Sequence, residues 1–322
     1  MTLLRALGEH DEKAKRHLAN LIPIPSRSCL EPGNLVGPDR AGGNGSSQHG
    51  VSVEAKHGAE VPAINREDMR VFQGNNRLRV TDWVALQGDR AALELFVLLD
   101  EANDPDIGLQ LNELRQFMNA QPATTAIAVG DMRFGGVDTV QNFTKDHAQA
   151  GKALRLPFGS ASLSPNPYAS LSLLIRRWPE NSARREIFLI SSGIDQLYGG
   201  PSDPYLAEII ERAQRAGIQI YAIYASAAGH FGHSFWRFTW GQNNLAQLAD
   251  ETGGESYFQG FQTPIAFKTF LDEFSDRLKH QYKITFLAIP ESKASYQHVR
   301  FETEVPNAEL IGADRVYVPA AK

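Results

Sequence analysis

The chain has 322 residues, of which 42% are hydrophobic and 21% are charged. This composition is typical of a globular protein, and the length allows one large domain with a smaller unit beside it. The net charge of −5, without any basic run, argues against a nucleic-acid partner. The single cysteine, Cys29, excludes an intrachain disulfide and a zinc site built from cysteines.

Residues 1–50 are predicted to form an N-terminal helix and a linker. Apolar residues recur at roughly helical spacing over residues 1–22, whereas Pro, Gly, Ser and Asn dominate residues 23–49. No apolar run in the chain is long enough to span a membrane. Residues 10–17 are too highly charged for the apolar centre of a signal peptide, so the sequence as given predicts none.

Residues 51–88 are predicted to form a β-hairpin unit. Apolar and polar residues alternate from Val51 to Val53 and from Met69 to Val80, and Gly74-Asn75-Asn76 interrupts the second alternation with a turn. A hairpin alone is too small to be stable. The alternating strands predicted in residues 282–322 need a partner too, so we expect both segments to form one small β-sandwich.

Residues 89–281 are predicted to fold as an α/β domain with a doubly wound, mostly parallel sheet, because strand-like and helix-like segments alternate. The predicted strands cover residues 93–100, 124–129, 140–143, 186–191, 219–224 and 256–258. The predicted helices cover residues 105–119, 168–178, 204–216, 243–252 and 265–281. Ligands of such sheets lie at the carboxyl ends of the strands, where this chain places Asp100 and the polar end of IFLISSGID at 187–195.

Several of these segments resemble a von Willebrand factor type A (VWA) domain. The resemblance is carried by LFVLLDEAND at 95–104, IFLISSGID at 187–195, AGIQIYAI at 216–223, LAQLADETGGESYF at 245–258 and LKHQYKITF at 278–286. More narrowly, the chain is similar to the VWA-related proteins of Acidobacteria, in which a short strand unit like INREDMRVFQGNNRLRV at 64–80 precedes the core. The resemblance implies a Rossmann-like fold, a role in protein binding, and export, because these relatives commonly begin with a secretion signal.

The resemblance also implies a metal-ion-dependent adhesion site, which is degenerate in this chain. In the family, the ligands are an Asp-x-Ser-x-Ser motif after the first strand, a threonine on a middle loop and an aspartate after the fourth strand. Only Asp100 matches directly. Ala102 and Asp104 replace the two serines, Pro165 aligns with the threonine, and Ser192 aligns with the second aspartate.

Two interpretations of these acidic residues remain. In the first, a rearranged site holds Mg²⁺ or another divalent cation, which would relieve the repulsion among clustered carboxylates. Its candidate ligands are Asp100, Asp104, Ser192 and Asp195, with Asp131 as a further candidate. In the second, each residue has a local role, such as a helix cap at Asp104-Pro105. Asp203-Pro204 repeats that signature where no metal is expected, so the second interpretation is favoured and no cofactor is the leading expectation.

An aromatic loop is predicted between residue 225 and the helix at 243–252, at the same sheet edge as Asp100. Its candidate partner-binding residues are His230, His233, Trp236, Arg237 and Trp240. Trp and Arg are frequent in interface hot spots, so a protein partner is one interpretation, and packing of the rings within the protein is the other. His-x-x-His could supply half of a metal site, but no third ligand is evident.

Catalytic motifs are missing from the sequence. It has no Gly-x-Ser-x-Gly, and neither a phosphate-binding loop nor a Gly-x-Gly-x-x-Gly motif follows the first strand. The favoured function is therefore a noncatalytic protein-interaction module whose partner is unidentified. The alternative is a metal-dependent hydrolase using the acidic cluster, which would need a general base and a deep pocket.

Overall fold

The computed structural model describes residues 46–58, 60–179, 183–197, 200, 203–229, 234–318 and 320. The predicted N-terminal helix and most of the predicted linker lie outside these residues. The strands, in chain order, are β1 (Ser46–Ala55), β2 (Met69–Gln73), β3 (Asn76–Ala85), β4 (Leu93–Asp100), β5 (Thr125–Arg133), β6 (Gly136–Thr144), β7 (Arg184–Ser191), β8 (Ile218–Tyr224), β9 (Ser256–Tyr257), β10 (Gln281–Leu287), β11 (Ser295–Thr303), β12 (Ala308–Gly312) and β13 (Arg315–Val318).

The helices are α1 (Gln110–Asn119), α2 (His147–Lys152), α3 (Pro167–Arg177), α4 (Pro204–Ala216), α5 (Phe235–Thr252) and α6 (Lys268–Lys279). Short 3-10 helices span Arg66–Asp68, Gly88–Arg90 and Pro105–Gly108. None of the helices in the described ranges combines the length and apolar character needed to cross a lipid bilayer.

Six strands form the mostly parallel sheet predicted from the sequence, in the order β6-β5-β4-β7-β8-β9. Five strands run parallel, and β6 pairs antiparallel with β5. This antiparallel edge follows from a two-residue turn in which Phe134 and Gly135 have φ angles of 52° and 72°. The strand order reverses between β4 and β7, which makes their carboxyl ends the expected ligand-binding point of the sheet.

The central strands are apolar on both faces because helices cover both faces. Leu95, Val97 and Leu99 pack with the side chains of α1 and α6 in one core. Phe96 and Leu98 point to the opposite face and pack with residues of α3 and α4 in a second core. Burial on both sides explains the unbroken apolar run that predicted this strand.

The terminal strands form a separate seven-stranded antiparallel sheet, in the order β12-β1-β10-β3-β2-β11-β13. The alternating apolar pattern predicts a β-sandwich, in which these strands would face each other. Instead, β10 pairs directly with both β1 and β3, so strands that precede and follow the parallel sheet in sequence are joined by backbone hydrogen bonds. Val51, Val71, Ile284 and Phe286 belong to the core of this sheet.

Several predicted boundaries differ from the structure, and two of them concern the segments predicted as linker and aromatic loop. The first is the end of the helix and linker predicted over residues 1–50, because β1 begins at Ser46 and pairs with β10 from Ser46↔Leu287 onward. The second is the helix predicted over 243–252, because α5 begins at Phe235, eight residues earlier than expected. Phe238, Leu245 and Leu248 are buried on one face of α5, so aromatic residues that indicated a loop form the first turns of a helix.

Candidate functional site at the carboxyl edge of the parallel sheet

Asp100 lies at the end of β4 with only 1% of its surface exposed. Its Oδ1 accepts a hydrogen bond of 3.0 Å from the backbone N–H of Ala102. Its Oδ2 accepts a hydrogen bond of 2.6 Å from the hydroxyl of Ser191. Burial raises the pKa of Asp100, whereas the hydrogen bonds from Ser191 and Ala102 lower it. Both carboxylate oxygens are therefore engaged by groups of the protein.

The residue whose side chain contacts Asp100 is Ser191, whereas the resemblance to VWA domains indicated Ser192. In the parallel pairing of β4 and β7, Leu99 lies beside Ile190, so the next residue of each strand is Asp100 and Ser191. Ser192 is fully buried, and its hydroxyl accepts a hydrogen bond of 3.4 Å from the N–H of Ile194. Both strands are eight residues long and pair from their first residues onward, so their polar ends lie side by side.

Asp104 caps a helix. Its Oδ1 accepts a hydrogen bond of 3.1 Å from the N–H of Asp106, at the start of the 3-10 helix Pro105–Gly108. Its own N–H donates to the carbonyl of Ser226 at 2.8 Å, and the N–H of Ala228 donates to the carbonyl of Ala102 at 2.8 Å. The segment after β8 is thus joined to the turn after β4.

Asp195 is held by neighbours on two sides. Its Oδ2 accepts a hydrogen bond of 2.6 Å from the side-chain amide of Asn166, and its Oδ1 accepts one of 2.6 Å from the N–H of Leu197. Asp203, the N-cap of α4, accepts from the N–H of Tyr205 at 2.8 Å. Burial and the neighbouring Asp195 raise the pKa of Asp203 to about 6.

Asp131 belongs to a charged group at this edge whose other members, Glu101, Arg133 and Arg155, were not predicted as site residues. Glu101 is 1% exposed and accepts hydrogen bonds from Arg155 at 2.5 Å and from Arg133 at 3.1 Å. Arg155 also forms an ion pair of 2.7 Å with Asp131. Burial raises the pKa of Asp131, and the positive charge of Arg155 offsets part of this rise. The resulting pKa is about 6. The guanidinium group of Arg155 thus supplies the positive charge between two buried carboxyl groups.

The predicted acidic residues do not come together as metal ligands. Within the described part of the chain, no group of three or more His, Cys, Asp or Glu side chains could hold a metal ion. Asp100, Asp104 and Asp195 are each hydrogen-bonded to different neighbours. Asp131 pairs with arginine. These side chains therefore do not fit the octahedral set of oxygen ligands that Mg²⁺ requires.

Aromatic side chains cluster at the start of α5. Phe235 contacts Trp236 and Phe261, each with ring centroids 5.6 Å apart, and Phe238 stacks on Phe261 at 4.3 Å. Trp236 is 66% exposed, whereas Phe238 is buried against the sheet. Part of this segment is therefore core, and part remains on the surface.

The other predicted partner-binding residues differ in position. Arg237 donates a hydrogen bond of 3.3 Å to the side-chain oxygen of Gln196, and Trp240 is half-buried. His230 and His233 lie outside the described residues. The half metal site that these histidines suggested therefore stays a prediction.

Helix α5 approaches the loop after β7 closely. Gly193 has φ +64°, and a Cβ atom there would lie 2.4 Å from the carbonyl oxygen of Gly241. A Cβ at Gly241 would lie 2.1 Å from the carbonyl oxygen of Ser192. Only glycine fits at these two positions, so the contact fixes the start of α5 beside the end of β7.

Further apolar side chains surround this edge. The side-chain amide of Gln110 donates to the carbonyl of Ile265 at 3.0 Å, which joins the loop before α6 to the start of α1. A Cβ at Gly108 would lie 3.2 Å from Leu156, so the loop after α2 lies over the 3-10 helix. We name the exposed apolar residues here the apolar rim: Leu109, Leu156, Phe158, Phe235, Trp236, Phe261 and Ile265.

The sheet order and the position of this edge define an α/β protein of the doubly wound class. No known protein family and no curated protein matches the chain. Among solved structures, it is similar to the conserved hypothetical protein BatB from Bacteroides thetaiotaomicron, with 12% identity and a TM-score of 0.43 over 58% of this chain and 97% of that one.

Two further solved structures show similarity of the same low degree. An aerotolerance-related membrane protein from Bacteroides fragilis has 12% identity and a TM-score of 0.41 over 58% of this chain and 98% of that one. The human COPII-coat protein Sec24c has 7% identity and a TM-score of 0.43 over 82% of this chain and 48% of that one. At these identities and TM-scores the comparisons assign no function to the chain.

Proposed function

We propose that this chain is a noncatalytic protein-interaction module of the VWA type, with a degenerate adhesion site, and that its partner binds the apolar rim. The observation that carries the proposal is the difference in solvent exposure between the apolar rim and Asp100. The rim exposes seven large apolar side chains, while Asp100 at the same edge of the sheet is 1% exposed. Such apolar surface, rimmed by polar residues, is typical of protein interaction sites.

Metal-bridged adhesion does not fit this arrangement. A bridging metal needs ligand oxygens that are open to the partner, and both oxygens of Asp100 accept hydrogen bonds inside the protein. Arg155 already forms ion pairs with Glu101 and Asp131 nearby. Binding at this edge would therefore depend on apolar contact and on the arginine side chains, without a cation.

Trp236 and Arg237 are proposed as central contacts of the partner. Tryptophan and arginine are the residue types most enriched among interface hot spots. Trp236 is 66% exposed and is held in place by Phe235, so it offers a rigid apolar surface. The Glu101 neighbours Arg133 and Arg155 lie over the ring of Phe158 at 5.0 and 5.1 Å, which adds cationic groups to the other side of the rim.

The narrower resemblance to the VWA-related proteins of Acidobacteria is part of this proposal, as is export. Its support is the set of sequence segments quoted above and the strand unit β2–β3, which corresponds to residues 64–80. The domain limits 51–88, 89–281 and 282–322 are proposed with it. A search for a secretion signal in the genomic sequence upstream of this reading frame would test the export proposal.

The test of the binding surface compares two doubly substituted full-length chains. Trp236→Ser with Ile265→Ser removes two apolar groups of the rim that are 66% and 89% exposed, so folding should be retained. Leu287→Ser with Ile289→Ser removes two partly exposed apolar groups of the antiparallel sheet and is the matched control. Each chain is used to capture proteins from an extract of its native cells, followed by quantitative mass spectrometry.

We expect at least one protein to be retained by the wild type and the control and lost with the rim variant, with EDTA making no difference. Equal recovery by all three chains would exclude the rim as the binding surface. Loss of recovery in EDTA would instead indicate metal-dependent adhesion.

A further inference from the structure

A cleft of about 330 Å³ lies at the opposite end of the parallel sheet from the apolar rim. One wall is formed by the first residues of β7 and β8, and the other by β1 and β10 of the antiparallel sheet. The volume is in the range of small-molecule sites. Residues from both sheets thus line one open cleft.

The charged side chains among the described residues that line this cleft are arginines and a lysine. Its cationic side chains are Arg90, Arg184, Arg185, Arg215 and Lys283, and its described walls contain no Asp or Glu. This concentration is unusual in a chain whose net charge is −5. Cationic side chains in a concave, partly desolvated space focus the field and attract anions.

Neighbouring carboxylates offset only part of this charge. Arg215 pairs with Glu211 at 2.7 Å on the outside of α4. Glu186 is buried behind the cleft. Burial raises its pKa, and the positive charge of Arg184 offsets only part of this rise. Within the described residues, neither Arg90 nor Lys283 has a carboxylate partner. The cleft therefore keeps an excess of positive charge.

The arginines of β7 are held rigidly at the cleft. The guanidinium of Arg184 donates to the carbonyl of Leu278 at 3.0 Å and to the side chain of Gln281, and its Nε is buried without a hydrogen-bond partner among the described residues. Arg185 is 6% exposed and donates to the carbonyl of Ala216. These hydrogen bonds hold the two guanidinium groups in place at the wall of the cleft.

We propose that this cleft binds a small, multiply charged anion bearing a phosphate group. A phosphate carries up to two negative charges and several acceptor oxygens, which suits several fixed guanidinium groups better than a single carboxylate does. Tyr317, Leu86 and Ile218 add apolar wall that the remainder of such a molecule can contact. The site is independent of the apolar rim, because the two lie at opposite ends of the same strands.

The test is titration calorimetry of the full chain with inorganic pyrophosphate, at an ionic strength held constant with sodium chloride. Citrate, a carboxylate anion of similar charge, is titrated in parallel. The cleft variant is Arg90→Gln with Lys283→Gln, which leaves the buried arginines in place. The control is Lys145→Gln with Lys293→Gln, an equal change of charge at two exposed lysines outside the cleft.

We expect one saturable pyrophosphate site in the wild type and the control, at least about tenfold weaker binding in the cleft variant, and weaker binding of citrate than of pyrophosphate. If the double variant does not fold, each single substitution is expected to weaken binding about threefold. Equal affinity for citrate would exclude phosphate recognition. No saturable heat, or equal affinity in the cleft and control variants, would overturn the proposal and indicate an adventitious ion only.

Discussion

The hydroxyl of Ser191 donates a hydrogen bond of 2.6 Å to the carboxylate of Asp100, across the two central strands of the parallel sheet. Both residues are at most 1% exposed. The same hydroxyl accepts a hydrogen bond of 3.0 Å from the N–H of Gly193. Ser191 therefore joins the end of β4 to the turn after β7, in the place where a ligand of the sheet would otherwise be expected.

Replacing Ser191 with alanine should destabilise the protein by about 1–3 kcal/mol, because a buried carboxylate oxygen and a buried N–H would lose their partner. Urea unfolding followed by circular dichroism measures the change. Ser162→Ala is the control, since its hydroxyl pairs with Ser160 at the surface and its loss should cost little. Equal stability of Ser191→Ala and the wild type would show that this hydrogen bond does not hold the edge together.

Divalent cations should leave the melting temperature of the full chain unchanged. A ligand present at 100 times its dissociation constant would add roughly 2.7 kcal/mol and raise the midpoint by a few degrees. The measurement is a thermal melt in EDTA, Mg²⁺, Ca²⁺ and Mn²⁺, repeated on Asp100→Ala. A cation-dependent rise in the wild type that disappears in Asp100→Ala would establish the rearranged metal site and contradict our proposal.

Arg155 should matter more for stability than a similarly exposed surface arginine. Arg155→Met leaves Glu101 and Asp131 buried without their main cation, and we expect a loss of roughly 2–4 kcal/mol. The matched control is Arg212→Met. The side chains of Arg155 and Arg212 are 32% and 33% exposed, but their partners Glu101 and Glu208 are 1% and 50% exposed.

For Arg212→Met we expect the free energy of unfolding to fall by less than about 1 kcal/mol, as for exposed ion pairs in general. Denaturant midpoints of the two variants decide the comparison. Equal losses would mean that the charged group around Glu101 contributes no more than a surface pair. Restoration of stability in Arg155→Met by Asp131→Asn would confirm that the uncompensated carboxyl group is the cause.

The fold was largely predictable because its strands are marked by apolar runs. The apolar run from Leu95 to Leu99 predicted β4, because a strand buried on both faces is apolar throughout. The alternation of apolar and polar residues predicted the terminal strands, because only one face of each is buried. The antiparallel sheet was mistaken for a sandwich because alternation shows which side of a strand is buried, but not which strand pairs with it. The short helix α2 was missed because its six residues include Gly151 and give little periodic signal.

The site was predictable only in part. Asp104 is the N-cap of a 3-10 helix, one of its two predicted roles, and that role could be predicted because the signal, aspartate before proline, is local. The pairing of Glu101 with Arg155 was not seen, since 54 residues separate them and nothing in either segment indicates the other. The start of α5 was placed too late because exposed and buried aromatic residues alternate within its first turns.

Stability should fall as the pH rises from about 4 to about 6, because burial and the neighbouring Asp195 raise the pKa of Asp203 from its usual 3.8 to about 6. In that interval the folded protein holds a proton on Asp203 that the unfolded chain has released. The stabilisation that comes from this proton on Asp203 is therefore fully present below about pH 4 and is lost as the pH rises through about 6. Asp203→Asn cannot ionise, and its side-chain oxygen can still accept from the N–H of Tyr205.

We therefore expect the free energy of unfolding of Asp203→Asn, relative to the wild type, to rise by about 1–2 kcal/mol between pH 4 and pH 7. Urea titrations at both pH values measure this difference. Asp146→Asn, which changes the N-cap of α2 at an exposed position, is the control. A constant difference between wild type and Asp203→Asn over this range would mean that Asp203 is already ionised at pH 4, and that Asp195 does not raise its pKa.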